Sequence, residues 1–341
     1  MKFKNIPRYI DGLEDKLGEN YRLKAARVKF TKAVWYVVRL LLLLGLSFIM
    51  LYPLMYMLSM AFRVQSEVLD PTIIWIPKTF TLDNIKYVID IMKYGKAVLQ
   101  TLEISIGSSF IQIVSCCLTG YGFARFKFPG KNILFGIVLF SIVVPPQTLL
   151  IPTYLMNVHF DFFFIGGYAL KLINFIFRSN IPTNATVYGT AWSFYLPAVF
   201  ASGIRSGLII FIFRQFFSGM PKELEESAYI DGAGPLKTFI RIMVPNAAPA
   251  FITVFLFSTV WYWSDYFYAG SMLTDLATTV SVKLSQLSPL LTNLNGFQYD
   301  PVKFIVYMQS GCLLVITPPL ALFVIFQRYF VESIERSGIV G

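Results

Sequence analysis

The chain has 341 residues, of which 56% are hydrophobic, 17% aromatic and only 14% charged, with a mean hydropathy of +0.62 and a net charge of +10. Ordinary globular chains carry about 45–50% apolar and about 25% charged residues, and a soluble fold of this length has no means of hiding so much apolar surface. The composition excludes a disordered chain, a disulfide-stapled secreted domain and a nucleic-acid binder; the three cysteines make neither a disulfide framework nor a metal cluster, and Cys116 and Cys117 are adjacent in an apolar run.

Half of the net charge sits in residues 1–33, where Lys2, Lys4, Arg8, Lys16, Arg22, Lys24, Arg27, Lys29 and Lys32 outnumber Asp11, Glu14, Asp15 and Glu19. Cytoplasmic flanks of membrane proteins are rich in Lys and Arg, so the N-terminus is expected inside. No small-residue cleavage site follows, which argues against a secretory signal. A solvated tail is the favoured reading, and an amphipathic helix on anionic lipid is the alternative.

A membrane crossing needs about 20 mostly apolar residues to cover about 30 Å of hydrocarbon. Six stretches qualify: Val34–Ala61, Ala97–Thr119, Ile133–Leu155, Tyr195–Phe217, Ala250–Ala269 and Phe304–Phe326. The second holds Glu103 and Gln112, the third is broken by Pro145, Pro146 and Pro152, and the fourth carries Arg205 and Arg214. The expected fold is all-α and polytopic: a basic tail over 1–33, a six-helix membrane domain over 34–327 and a tail over 328–341, both termini cytoplasmic. Arg125, Lys127 and Lys131 mark the second loop as an inside loop, as do Lys222, Lys237 and Arg241 for the fourth. Phe160–Phe177 competes for a crossing, but Asp161, Lys171 and a Gly-Gly pair favour a re-entrant or interfacial element. Asn184-Ala185-Thr186 matches a glycosylation acceptor and is read as chance.

Within the fourth loop, residues 221–249 read as two short amphipathic helices joined by a turn. Pro221 suits a first helical turn, and Glu223, Glu225 and Glu226 follow where the helix dipole favours anions. Asp231-Gly232-Ala233-Gly234-Pro235 breaks the helix, glycine supplying the left-handed geometry of a tight reversal. A second helix carries Phe239, Ile240, Met243 and Val244 as its apolar side and is expected to stop at Pro245. Such helices suit docking into a partner's groove, or lie passively on the bilayer.

Glu226-Ser227-Ala228, Asp231-Gly232-Ala233, Phe239, Ile242 and Pro245 together resemble the EAA signature of ABC-importer permeases. Ser227 stands for the usual alanine and Val244 for the usual leucine before proline. Tyr121-Gly122-Phe123-Ala124-Arg125-Phe126-Lys127-Phe128-Pro129-Gly130-Lys131, Ile151-Pro152-Thr153-Tyr154-Leu155, Trp263-Ser264-Asp265-Tyr266 and Gln327-Arg328-Tyr329-Phe330 are similar to segments of carbohydrate-importer permeases. The last of these fits the branch of the smaller maltose-transporter permease. The stretch from Phe160 to Trp192 is longer than that family usually shows.

The resemblance implies the type I importer architecture, with a second permease completing a heterodimeric pore in the bacterial plasma membrane. It also implies two ATPase subunits, which bind ATP and Mg²⁺, and an extracytoplasmic sugar-binding protein. The chain itself is expected to be no enzyme and to hold no cofactor or metal; no G-x-x-x-x-G-K-[ST] loop is present, and His159 is the lone histidine. The implied coupling residues are Glu226, Ser227, Ala228, Asp231, Gly232, Ala233, Phe239, Ile242 and Pro245.

Ionisable groups inside a membrane are costly and count as functional candidates. Glu103 and Arg205 could pair to fix packing, or Arg205 could face a water-filled cavity. Gln112, Gln309 and Asn174 are weaker candidates for sugar hydroxyls. The aromatic run Trp261 to Tyr268, with Trp263, Asp265 and Tyr266, reads either as an interfacial belt or as a sugar platform. The outer loop Ser271–Lys303 either reaches toward the binding protein or is a passive linker. An ion-coupled secondary transporter and a membrane scaffold are the rival functions.

Overall fold

The computed structural model describes residues 6–158, 186–274, 278–294 and 300–338, and every regular element among them is a helix. His159, most of the enlarged 160–192 stretch and Asn174 lie outside the described residues. Helix α1 runs unbroken from Ile6 to Ala61, so the basic segment is helical from Ile6 onward. Its Lys, Arg, Leu, Ala and Glu residues are good helix formers, which lets the basic segment extend the apolar one without a break. Over Arg27–Ala61 it is long and apolar enough to cross a membrane, and only its last turns are buried, against the final helix.

Helix α2 (Asp83–Met92) leads into α3 (Tyr94–Arg125), which forms the centre of the bundle. The buried face of α3 is rich in small and polar residues, Thr101, Ser105, Ser108, Ser109, Gln112, Cys116 and Gly120, with Ile104, Ile113 and Tyr121 its large members. Lipid tails are as apolar as leucine, so membrane helices gain little from burying large apolar groups and associate through close backbone approach at small residues. At Gly120 the approach is closest: an added β-carbon would lie 2.7 Å from Phe213 Cβ and 3.1 Å from the backbone of Ile210 and Arg214.

The expected third crossing is bent. Helix α4 (Lys131–Val143) gives way at Pro145-Pro146 to a short 3-10 turn and α5 (Leu150–Val158), with 104° between the two halves. The prolines supply no amide hydrogens to carry the helix through. The expected fourth crossing is interrupted as well. Helix α6 (Trp192–Val199) ends before an irregular stretch, and α7 (Ser206–Gly219) starts only after Ala201 and Arg205 have taken left-handed φ values of 52° and 55°. Fourteen residues span only about 21 Å, so α7 is short of a crossing by itself.

Helix α8 (Glu223–Ile230) and α9 (Pro235–Asn246) form the loop, and a 74° bend at Ala247 leads into α10 (Ala248–Ser264). Pro245 therefore lies within the last turn of α9 rather than stopping it. Helix α10 ends five residues short of the expected Ala269, because Asp265 accepts backbone N–H groups of Tyr268 and Ala269 at 3.3 and 2.8 Å and starts the separate α11 (Phe267–Met272). Helix α12 (Val280–Leu294) packs on α2 and on α13 (Pro301–Gly338). Among the described residues, three helices are long and apolar enough to cross a membrane, or up to five crossings if each bent pair counts as one.

The contact at Gly120 can be tested directly. Gly120→Val is expected to lower stability by about 1–3 kcal/mol through overpacking, read as a lower thermal-unfolding midpoint in detergent. Gly136→Ala, with nothing within 4 Å of its added methyl group, should leave the midpoint unchanged or raise it. Equal midpoints for the two variants would contradict close α3–α7 packing.

Candidate functional site

The two loop helices hang from the Arg125 end of α3. Lys222 C=O accepts the N–H groups of Glu225 and Glu226 at 3.0 and 3.1 Å, which opens α8 with its three glutamates in the first turn. The helix closes with Gly232 at φ +77°, its N–H bonded to Tyr229 C=O at 3.0 Å while Ala233 N–H reaches Ala228 C=O at 2.9 Å. This pair of bonds is the Schellman stop that needs a left-handed residue, and glycine meets it without strain. Pro235 then starts α9, whose middle, Phe239–Met243, is a π-turn.

One carboxylate fixes this unit to the bundle. Glu225 accepts the Tyr121 hydroxyl at 2.8 Å and pairs with Arg125 Nε at 3.5 Å; the two charged side chains are only 12% and 8% exposed. Arg125 also donates through Nη2 to Met220 C=O at 2.8 Å, tying down the chain between α7 and α8. The Tyr121 ring packs on Phe217 of α7 at 5.4 Å and on Phe239 of α9 at 4.7 Å between centroids. These rings belong to a core that includes Phe213, Met243, Ala247 and Val254, so α3, α7, α9 and α10 share one packed cluster.

The residues singled out from the sequence divide into two sets. Ala228 and Phe239 face inward, while Ala233 and Ile242 are half-buried. Glu226, Ser227, Asp231, Gly232 and Pro245 are exposed. The exposed face also carries Tyr229, Ile230, Leu236 and Ile240, with Ile230 86% exposed. Between Leu236, Lys237, Ile240 and Arg241 lies an open depression of about 480 Å³. The anchoring residues Glu225, Tyr121 and Arg125 were not among the expected coupling residues. Their signal lay in an inside loop that placed a tyrosine and an arginine one turn apart, opposite a run of glutamates.

The residues considered for cargo do not converge. Arg205 makes no ion pair with Glu103; its guanidinium lies 5.0 Å above the Trp261 ring instead, and the Glu103 backbone accepts the Tyr195 hydroxyl at 3.1 Å. Gln112 is fully buried and donates to Ile204 C=O at 2.8 Å and Ser206 Oγ at 2.7 Å. Trp263 is buried and donates to Val315 C=O at 3.0 Å. Asp265 is occupied by the amides of α11, so its carboxylate serves the backbone. Tyr266 is exposed and Gln309 half-buried.

The geometry is that of a helical bundle carrying a firmly mounted helix pair with one exposed apolar face. The profile of the family described as "Binding-protein-dependent transport system inner membrane component" matches residues 117–336, and the chain belongs to that family. Among curated relatives, Protein LplC of Bacillus subtilis is 26% identical over 91% of this chain and 97% of its own length. The arabinooligosaccharides transport system permease protein AraQ of Halalkalibacterium halodurans is 26% identical over 87% of this chain and 93% of its own length. A crystal structure of a bacterial ABC transporter involved in import of the acidic polysaccharide alginate shares the fold, with a TM-score of 0.65 at 17% identity, covering 88% of this chain and 98% of that one.

Breaking a nearly buried ion pair from one side leaves an uncompensated charge and costs about 3–5 kcal/mol. Glu225→Gln and Arg125→Met should each loosen α8 and α9, raising amide exchange over residues 223–246 by about 100-fold or more. The double variant should cost less than the two single effects combined, a coupling that a double-mutant cycle measures. Additive effects would show that the pair does not hold the loop.

Proposed function

We propose that this chain is a pore-forming subunit of an ATP-driven carbohydrate importer, and that α8 and α9 are its handle for a partner ATPase. The observation that carries this reading is the mounting of the loop: one face is locked to α3 and α7 by Glu225, Tyr121 and Phe239, while the other displays Ile230, Leu236 and Ile240. A handle needs both properties. A force applied to the exposed face reaches the membrane helices only if the mounting is stiff, and a partner binds only if apolar surface is left free.

In this reading the chain crosses the membrane six times, α6 and α7 together making the fourth crossing, with both termini and the loop in the cytoplasm. The arrangement brings the basic residues Arg125, Lys127, Lys222 and Arg241 to the inner face. A second permease completes the pore, two ATPase subunits bind ATP and Mg²⁺ beneath it, and an extracytoplasmic binding protein delivers cargo. Closure of the ATPases rocks α8 and α9; the Glu225–Arg125 pair carries that rotation into α3, and the cavity switches sides as a rigid-body motion. The energy enters as the difference in ATPase contact with the loop in the two states. The permease hydrolyses nothing. The cargo class, an oligosaccharide or similar polyhydroxylated solute, rests on likeness to an arabinooligosaccharide permease.

Gly232→Pro removes the left-handed stop, and Glu226→Lys reverses a charge on the exposed face. Both are expected to leave membrane insertion intact and to abolish the coupling of ATP hydrolysis to uptake in vesicles. Normal ATP-driven uptake by both variants would refute the handle, and uptake that follows an ion gradient and ignores ATP would favour a secondary transporter.

A further inference from the structure

The segment between α1 and α2 is built too firmly, and exposes too much apolar surface, to be a simple connector. Arg63, two residues beyond the end of α1, is 1% exposed and has no carboxylate among its partners in the described residues. Its guanidinium donates to the Ile73 and Ile74 carbonyls at 3.3 and 3.2 Å and to Ser59 Oγ at 2.8 Å. Asn84 closes the base by donating to Ala61 C=O and Arg63 C=O at 3.2 and 2.8 Å, and Thr81 N–H bonds to Phe62 C=O at 3.0 Å. The polar groups of the segment bond to one another: Lys78 joins Asp70 at 3.0 Å, Lys78 N–H reaches Glu67, and Asp70 accepts both the N–H and the hydroxyl of Thr72.

What remains outside this network is apolar. Leu69, Ile74, Ile76 and Phe80 are between 68% and 77% exposed. Trp75, between the two isoleucines, turns back onto α1, its ring edge-on to Tyr52 at 5.1 Å and to Phe48 at 6.3 Å. Those partners lie nine and thirteen residues before Ala61, or about 13 and 20 Å back along the helix. The segment therefore folds back along α1. The α1 stretch Arg27–Ala61 has 35 residues, about 52 Å of helix against about 30 Å of hydrocarbon, so the helix is long enough for the returning segment to lie beside its apolar part. The surface that it joins there is α1 itself, exposed at Met50, Leu51 and Tyr52.

We propose that the 69–80 segment is a lipid-anchoring loop that seats Ile74, Trp75 and Ile76 in the bilayer at the Ala61 end of α1. Tryptophan beside tyrosine at helix ends is the pattern of a headgroup-level anchor, and flanking isoleucines extend it into the acyl boundary. The Arg63 staple makes the anchor rigid, so it fixes the depth of the α1 end. This inference does not depend on the cargo, on an ATPase or on which leaflet is outer.

Spin labels test it in the full-length chain reconstituted in liposomes, with Cys116, Cys117 and Cys312 replaced. Ile74→Cys and Ile76→Cys are compared with Thr72→Cys, all at exposed positions. Labels at 74 and 76 should collide with oxygen several-fold more readily than with a water-soluble nickel chelate, and the label at 72 should show the reverse. Nickel accessibility at 74 and 76 equal to that at 72 would overturn the proposal in favour of a solvated loop. Protection of 74 and 76 from both reagents would overturn it in favour of burial against protein.

Discussion

Close backbone approach along α3 is the constraint from which the rest of the bundle follows. In water a helix like this would be driven into a core by its large side chains; in lipid those side chains have nothing to escape from. Phe110, Val114 and Leu118 therefore stay exposed on α3, and Ser105, Ser108, Ser109 and Gly120 make the contacts. The result inverts the familiar arrangement, with the small polar face inward and the large apolar face outward. It also makes the bundle intolerant of volume. Where a methyl group at Gly120 meets backbone atoms of α7, no side-chain rotation relieves the conflict.

The same helix carries the connection to the loop. Seam and anchor are continuous: Cys117, Gly120 and Tyr121 follow one another along the inward side, and Arg125 ends the row. Tyr121 has a double task, its ring filling the space among Phe217 and Phe239 while its hydroxyl satisfies a carboxylate that would otherwise be buried without a donor. A buried charge pair contributes little net stability by itself, because desolvation offsets the attraction, but it tolerates no other geometry. Specific orientation is what the proposed handle requires.

The positions of the apolar runs and the turn at Gly232 were legible because both are local: run length sets the first and left-handed backbone geometry the second. The choice between Glu225 and Glu226 was not. Adjacent residues on a helix point about 100° apart, and only the packing of α8 against α3 decides which is buried. The resemblance drew attention to Glu226, whereas Glu225 holds the structure together. The interruption at Phe200–Arg205 was hidden for another reason. Pro197 and Gly203 were visible, but an average over an apolar window conceals a break that preserves the apolar count.

That interruption accounts for the bonds that Gln112, Ser115 and Tyr262 make. Irregular backbone at membrane depth needs partners for the N–H and C=O groups that no helix satisfies. Here α3 and α10 supply them: Tyr262 accepts Ile204 N–H at 3.2 Å, Gln112 donates to Ile204 C=O, and Ser115 donates to Ala198 C=O at 2.6 Å. Gly203 lets these groups approach, since a β-carbon there would strike both the Tyr262 hydroxyl and the Gln112 amide. A polar residue in a membrane crossing is thus evidence of an obligation as much as of a function. Whether it is free to meet a solute depends on whether the neighbouring backbone is helical, and beside α6 and α7 it is not.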